Sequence, residues 1–531
     1  MADAILSSHL KSINYALFFF GCLIFHLAGT WNLPLIDRDE PRFAEASREM
    51  IERADFIVPH FNNQLRLDKP PLTYWAQVAS FTIFGENDFA ARFPSAFAAT
   101  LIAFSILGWG SRIGKECVGL CAAIIFTLSL QTFVHAKAAV ADMWLVLFVT
   151  LAHWAGFELI QRPTCNAQRP TFDSGGVEAP VARRNSDWSW WLIFYVALAF
   201  AFLAKGPIGW TPLLTVGSTI LFSRDLQLAH GFKFVRGALL MLAIVAIWGI
   251  PALIRTHGEF LTVGIGRHVI GRSFGAMEGH GANSLGAYLA LLPFYFVTIF
   301  ASFLPWSIKL PWLTRNLWQK RDNIDNYLLA GAAVIFIIFT LIKTKLPHYT
   351  LPAFPLLSLL LARHWSCPER LAARKLDRFK RSSLGGVEIQ AAAVGDQSSL
   401  FKGIAIATMC LWLTIALVIP SQIARSFPAY TLFQESRDYL RPEMEFGAVD
   451  YQEPSLVWYF RSRIRGTMLP LRRGSASQFM NKSGPRFIVL PALLAGKILP
   501  NQPPTWKTFS TQGFNIAKGR RVDLTLVLKP D

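Results

Sequence analysis

The sequence predicts an all-α polytopic membrane domain, with about eleven to thirteen transmembrane helices, followed by a small soluble α/β domain. Three observations carry this. Only 16% of the 531 residues are charged and 53% are hydrophobic, whereas soluble domains carry about a quarter charged residues. The apolar residues come in blocks: Trp188 to Ala204 and Ile404 to Ile419 contain no charge, and about 18 to 20 such residues cross a bilayer as a helix. After about Pro420 the composition changes, with strand-like runs at Arg486 to Leu490 and Val522 to Leu528 and a helix-like stretch at Pro454 to Phe460.

The first block runs from about Ile13 to Trp31. It is too long for a signal-peptide core and lacks a small-residue cleavage site, so it reads as a retained first span. Further blocks fall at about 72–85, 93–110, 116–134, 141–160, 188–204, 206–222, 237–254, 285–308, 327–342, 347–362 and 403–420. Block 72–85 is short, opens on Pro70-Pro71 and closes on Gly85, which limits its helical length. If it lies flat or re-enters, the basic loops fall on one side, as the positive-inside rule requires. Those loops hold Arg112 and Lys115; Arg162, Arg169, Arg183 and Arg184; Arg224, Lys233 and Arg236; and Arg315, Lys320 and Arg321. The long segment 364–401, with Arg370 to Arg381 and Ser-Ser, Gly-Gly and Ala-Ala-Ala runs, reads as a flexible cytoplasmic connection. This topology makes residues 1–420 a membrane domain of eleven spans and 421–531 an external domain. The net charge of +18 is then a loop-charge asymmetry, not a nucleic-acid footprint.

Several polar clusters share the external side on this topology. The first external loop, about 32–71, contains Asp37-Arg38-Asp39-Glu40-Pro41-Arg42 and ends in Asp68-Lys69-Pro70-Pro71. Asp142 opens an apolar helix, and Lys205-Gly206-Pro207 separates two spans. His268, Arg272, Glu278 and His280 lie in the loop 255–284, and Lys343 to Tyr349 precedes another span. Each has an ordinary explanation alone: Asp142 as a helix cap, Lys205 as a snorkelling cation, and Glu45, Arg48 and Glu49 as the solvated face of a short helix. Together they place acids and bases from distant segments at one membrane face, where ionisable groups are costly and usually line a cavity. Cations there suit a phosphate, and a carboxylate suits a general base.

These motifs, in this order, resemble the GT-C membrane glycosyltransferases over roughly residues 12–420, especially bacterial lipid A aminoarabinose transferases and protein O-mannosyltransferases that use dolichyl-phosphate mannose. Asp39-Glu40-Pro41-Arg42-Phe43-Ala44-Glu45 resembles their acidic first-loop motif, Asp68-Lys69-Pro70-Pro71 their Lys-Pro-Pro motif, and Lys345-Leu346-Pro347-His348-Tyr349 a third signature. The resemblance implies catalytic carboxylates at Asp39 and Asp142, and carrier-phosphate contacts at Lys69, Arg272 and Tyr349. Lys345, Glu40 and Lys205 are expected to bind substrate in the same cavity. Some members hold a divalent metal, zinc among the candidates, through positions matching Asp68 and His268; the chemistry itself requires no cofactor.

The expected activity is inverting transfer from a polyprenyl-phosphate sugar to lipid A, lipopolysaccharide or a related envelope acceptor, at the outer face of the inner membrane. One rival is the same chemistry on protein Ser or Thr. Another is a lipid-linked sugar transporter or flippase, which would show inverted repeats. A nucleic-acid partner is not expected.

Overall fold

The computed structural model describes residues 2–167, 182–271, 284–365 and 387–531. Among them, six helices are long and apolar enough to cross a membrane: Asp88–Ile113, Asp142–Gln161, Trp188–Lys205, Gln227–Arg255, Asn323–Leu341 and Ser399–Ser426. The chain is a multi-pass membrane protein. Its first half runs α1 (Ala2–Leu27), α2 (Asp39–Arg53), a ribbon of β1 (His60–Phe61) and β2 (Gln64–Leu65), α3 (Leu72–Phe84), α4 (Asp88–Ile113), α5 (Glu116–Leu128), α6 (Leu130–Ala136), α7 (Asp142–Ala167), α8 (Ala182–Lys205) and α9 (Thr211–Ser223).

The block at 72–85 becomes α3, whose 13 residues reach about 20 Å, short of the roughly 30 Å hydrocarbon core. Asn87 then starts α4, its side-chain oxygen accepting from the Ala90 N–H at 2.8 Å. Other expected spans are interrupted. Block 116–134 is broken into α5 and α6, bent by 68°. The break is at Ser129, whose backbone is extended and whose neighbour Leu130 donates its N–H to the Leu304 carbonyl at 3.0 Å. Block 285–308 divides into Leu285–Ala290 and Phe294–Ser302, with Pro293 and Pro305 at the junctions, where a missing N–H favours a first turn over a helix interior. Blocks 206–222 and 347–362 each begin with a 3-10 turn, at Pro207–Trp210 and Pro347–Ala353.

Packing in the bundle depends on small residues. A Cβ on Gly110 would lie 2.5 Å from the Gly119 Cα, and one on Gly119 would lie 2.3 Å from the Leu107 carbonyl oxygen. Glycine at both positions lets α4 and α5 touch backbone to backbone, as apolar solvent favours. Around this contact, Trp109, Phe126, Phe194 and Tyr327 form a continuous buried core.

The C-terminal unit is a five-stranded sheet ordered β4-β3-β5-β7-β6: β3 (Glu445–Val449), β4 (Met468–Leu471), β5 (Arg486–Pro491), β6 (Lys507–Asn515) and β7 (Arg520–Lys529). β4, β3 and β5 are parallel, while β7 is antiparallel to β5 and β6. Phe446 pairs with Phe487 in register, and both rings pack on Phe460. Phe460 belongs to the helix Pro454–Arg461, which crosses from β3 to β4 and is almost wholly buried.

That same helix docks on α2. Arg461 reaches Glu45, Glu49 at 3.1 Å and Glu52 at 2.6 Å. Arg48 contacts Glu45 at 2.6 Å and stacks 3.9 Å from the Trp458 ring. Trp458 and Tyr459 donate to Asp88 at 2.8 and 3.0 Å. The expectation that Glu45, Arg48 and Glu49 form a solvated face is therefore corrected: all three are at most 2% exposed. α2 carries acids on two sides because one side seats the C-terminal unit.

Asp37 adds a pH-dependent contact. Its carboxylate accepts from the Ser455 N–H at 2.9 Å and from the Ser455 hydroxyl at 2.5 Å. Burial pushes its pKa up to about 7, against those two donors. The folded protein then holds a proton that the unfolded chain has released. The contribution is complete below the ordinary carboxylate value of about 3.9 and is lost as pH rises through about 7. The thermal midpoint of the detergent-solubilised protein is expected to fall between about pH 5 and pH 8, and Asp37→Asn should flatten that profile.

Candidate functional site

A cavity of about 850 Å³ opens among α7, α8, α9, the helix Phe234–Arg255 and the turn Pro347–Ala353. Much of its wall is apolar. Leu214, Leu242, Ile250 and Leu261 line it and are otherwise exposed, so in a membrane protein they face lipid. Its titratable lining comes from Asp68, Lys69, Asp142, Lys205, His348 and Tyr349.

Local structure puts each group there. Asp142 is the first residue of α7 and Lys205 the last of α8, so two packed helices deliver opposite charges to one level. Each also suits the helix end it occupies, an acid at an N-terminus and a base at a C-terminus. The Lys205 ammonium lies 2.5 Å from Asp142 Oδ1 and 5.6 Å from the centre of the Tyr349 ring. His348, from the same turn as Tyr349, stacks loosely on His135 of α6, with ring centres 5.0 Å apart. One ring nitrogen of each imidazole and a carboxylate oxygen of Asp142 all lie within 4.8 Å of one another.

Asp39 does not line this cavity. It is exposed at the start of α2, yet it acts electrostatically on Arg66, which pairs with Asp68 at 3.3 Å. Burial opposes the charge on Arg66, but Tyr74, Asp68 and Asp39 outweigh it and push the guanidinium pKa up. Asp39 is thus linked to the cavity rim through one buried arginine. Its neighbour Arg38, with Arg42 of α2, lines a second, open cleft of about 730 Å³ against the C-terminal unit. Arg38, Arg42, Arg472, Arg473 and Lys518 line it, with Asp450 and Glu453 as the acids. Arg473 pairs with Asp450 at 2.7 Å and Lys518 with Glu453 at 3.2 Å, leaving the cleft with more basic than acidic groups.

Two expected substrate contacts have other partners. Lys345 is buried and donates to the Phe339 carbonyl at 2.9 Å and to Thr340. It caps the end of the helix Asn323–Leu341, where orphan carbonyls attract a cation, and it does not line the cavity. Glu40 is 4% exposed. It pairs with Arg92 at 2.7 Å and accepts the N–H groups of Ile36 and Ala139, each at 2.7 Å. Both residues hold the scaffold around the site. Arg272 lies outside the described residues, as does the side chain of His268. Sequence reasoning missed His135, Arg92 and Arg461, and quoted His348 only as part of a motif. Arg92 and His135 each had a visible signal, an ionisable side chain at the edge of an apolar block.

The comparisons agree with the architecture. Residues 68–167 match the family model described as dolichyl-phosphate-mannose-protein mannosyltransferase. The chain is 30% identical over 349 residues to an uncharacterized protein of Aquifex aeolicus, covering 64% of this chain and 70% of that one. It is 29% identical to the undecaprenyl phosphate-alpha-4-amino-4-deoxy-L-arabinose arabinosyl transferase 2 of Sodalis glossinidius, and 28% identical to the corresponding transferase of Erwinia tasmaniensis. Those matches cover 61% and 67% of this chain but only 55% and 58% of the relatives' own length. In structure, the chain resembles ArnT from Cupriavidus metallidurans bound to undecaprenyl phosphate, with a TM-score of 0.71 at 20% identity and 97% of both chains covered. It also resembles the archaeal oligosaccharyltransferase AglB from Archaeoglobus fulgidus, with a TM-score of 0.52 at 11% identity, covering 91% of this chain and 70% of that one.

Proposed function

We propose, from the premise that the chain belongs to the GT-C membrane glycosyltransferases, that it moves a sugar from a polyprenyl-phosphate carrier to an anionic glycolipid of the cell envelope, lipid A or lipopolysaccharide. The observation that supports this most is the cavity itself. Lipid-facing apolar walls lead to Lys69, Lys205 and Tyr349, a lining suited to a long hydrocarbon chain with a phosphate at its head. The relatives' use of undecaprenyl phosphate sugars points the same way.

The transfer needs little from the protein beyond positioning and charge. The acceptor oxygen attacks the anomeric carbon as the bond from that carbon to the carrier phosphate breaks. The bonding electrons leave with the phosphate, and configuration inverts. Lys69 and Lys205 sit where that negative charge grows, and preorganised cations contribute most there. Asp142 holds Lys205 in place. Asp39, coupled to the cavity rim through Arg66 and next in the chain to Arg38 of the arginine cleft, orients the acceptor. If the attacking group is a hydroxyl, Asp39 takes its proton; if it is a phosphate, the oxygen is already ionised. The excess of arginine in the cleft favours the anionic acceptor. The site is proposed to face the outside of the inner membrane, with the C-terminal unit on the same side.

The mannosyltransferase family match keeps a second reading in play, transfer to a protein Ser or Thr. Purified protein, supplied with undecaprenyl-phosphate-linked sugar and either lipid A or a Ser/Thr-rich peptide, separates the two. Asp39→Asn and Lys69→Ala are each expected to lower transfer by about 100-fold or more. Wild-type rates in both variants would remove the assigned roles.

A further inference from the structure

We infer that His135, Asp142 and His348 form a binding site for a divalent transition-metal cation, with zinc the best match to the ligands. The three come from different elements: α6, the start of α7, and the turn Pro347–Ala353. Their donor atoms already lie within 4.8 Å of one another. Around a tetrahedral zinc with bonds of about 2.0–2.1 Å, ligand atoms stand about 3.3 Å apart. A modest inward turn of the rings closes the set. Two imidazoles and one carboxylate, with a position left open toward a cavity, form the ligand set of an open zinc site rather than a closed structural one. Hard cations such as magnesium or calcium prefer all-oxygen shells.

The surroundings are those of a metal site. His135 Nδ1 lies 3.1 Å from the Gln131 carbonyl oxygen, so that nitrogen carries the proton and Nε2 presents its lone pair. Metal-bound histidines are usually fixed in this way by a backbone carbonyl. Lys205 touches only one Asp142 oxygen in a hydrogen bond, which leaves the second free to ligate. A ligating carboxylate that is itself hydrogen-bonded is the usual arrangement. The break at Ser129, which turns α6 away from α5 by 68°, is what carries His135 to this level. An unbroken helix over block 116–134 would continue along the α5 axis instead.

Charge then indicates what the open position takes. Of the two carboxylates lining the cavity, Asp68 is paired with Arg66, so a divalent cation beside Lys205 and near Lys69 leaves Asp142 to balance several positive charges. An anion completes such a site, and a phosphate oxygen is the group that fits. This set shares no residue with the Asp68 and His268 pair expected from sequence. The metal inference rests on the cluster's geometry and stands whether or not the proposed transfer is correct.

The test measures metal, not activity. Full-length protein in detergent is stripped with a chelator, dialysed against zinc with and without inorganic phosphate, and assayed by mass spectrometry. One zinc per chain is expected in the wild type, held more tightly when phosphate is present. His135→Ala and His348→Ala should each lower affinity at least tenfold, while Asp68→Asn leaves it unchanged. His348→Cys, which replaces one zinc ligand by another, should retain binding and so separates ligation from folding. No bound zinc in the wild type, full occupancy in the His135→Ala/His348→Ala double variant, or loss confined to Asp68→Asn would each overturn the assignment.

Discussion

Lys205→Ala is expected to lower kcat/KM for the lipid-linked donor by about 10²- to 10³-fold, the range seen when one preorganised charge-stabilising group is removed. Two losses combine. The ammonium proposed to face the leaving phosphate is gone, and Asp142, at 8% exposure, loses the one cation that pairs with it among the described residues. Its negative charge would then repel the donor. Lys205→Arg restores the charge but lengthens the side chain inside a cavity already bounded by the Tyr349 ring, so about tenfold of the loss should remain. Steady-state kinetics on the purified variants checks this. Near-wild-type turnover in Lys205→Ala would reduce the residue to a helix-end cation. Lys345→Ala provides the contrast: its ammonium is committed to backbone carbonyls, so it should lose stability rather than donor affinity.

Arg92→Leu should prevent the segment between α1 and α3 from folding. Arg92 is 1% exposed and meets Glu40 at 2.7 and 2.9 Å. It also donates to the carbonyls of Thr30 at 3.0 Å, Pro34 at 2.9 Å and Leu33. Removing one partner of a buried ion pair costs about 3–5 kcal/mol, because the other charge remains buried and unpaired. Here three carbonyls lose their donor as well. Glu40→Gln should be milder, since the amide oxygen can still accept from Ile36 or Ala139. Replacing both partners with leucine should recover part of the loss. Melting in detergent gives the order Arg92→Leu below the double variant below wild type.

What could be read from the sequence was governed by range. The spans at 93–110, 141–160, 188–204, 237–254, 327–342 and 403–420 were legible because twenty apolar residues have few alternatives. Asp142 and Lys205 were legible as charges at span ends, and β5 and β7 as apolar β-branched runs. β4 was not, with Pro470 inside four residues; nor was β6, whose burial alternates irregularly. The break in block 116–134 depends on Leu304, 174 residues further along, and no local pattern encodes that. Glu45, Arg48 and Glu49 were misread for the same reason. Their composition is that of a solvated helix face, and the residues that cover it, Arg461 and Trp458, lie more than 400 residues away.

On the proposed transfer from a lipid-linked donor, the apolar wall of the cavity also determines how the protein encounters that donor. Leu214, Leu242, Ile250 and Leu261 open sideways into lipid, so a carrier can slide in laterally without leaving the bilayer. The quantity that governs saturation is then the carrier's mole fraction in the membrane plane, not its concentration in bulk solution. Diluting the donor with inert phospholipid at a constant total amount should slow the reaction, whereas enlarging the aqueous volume should leave it unchanged.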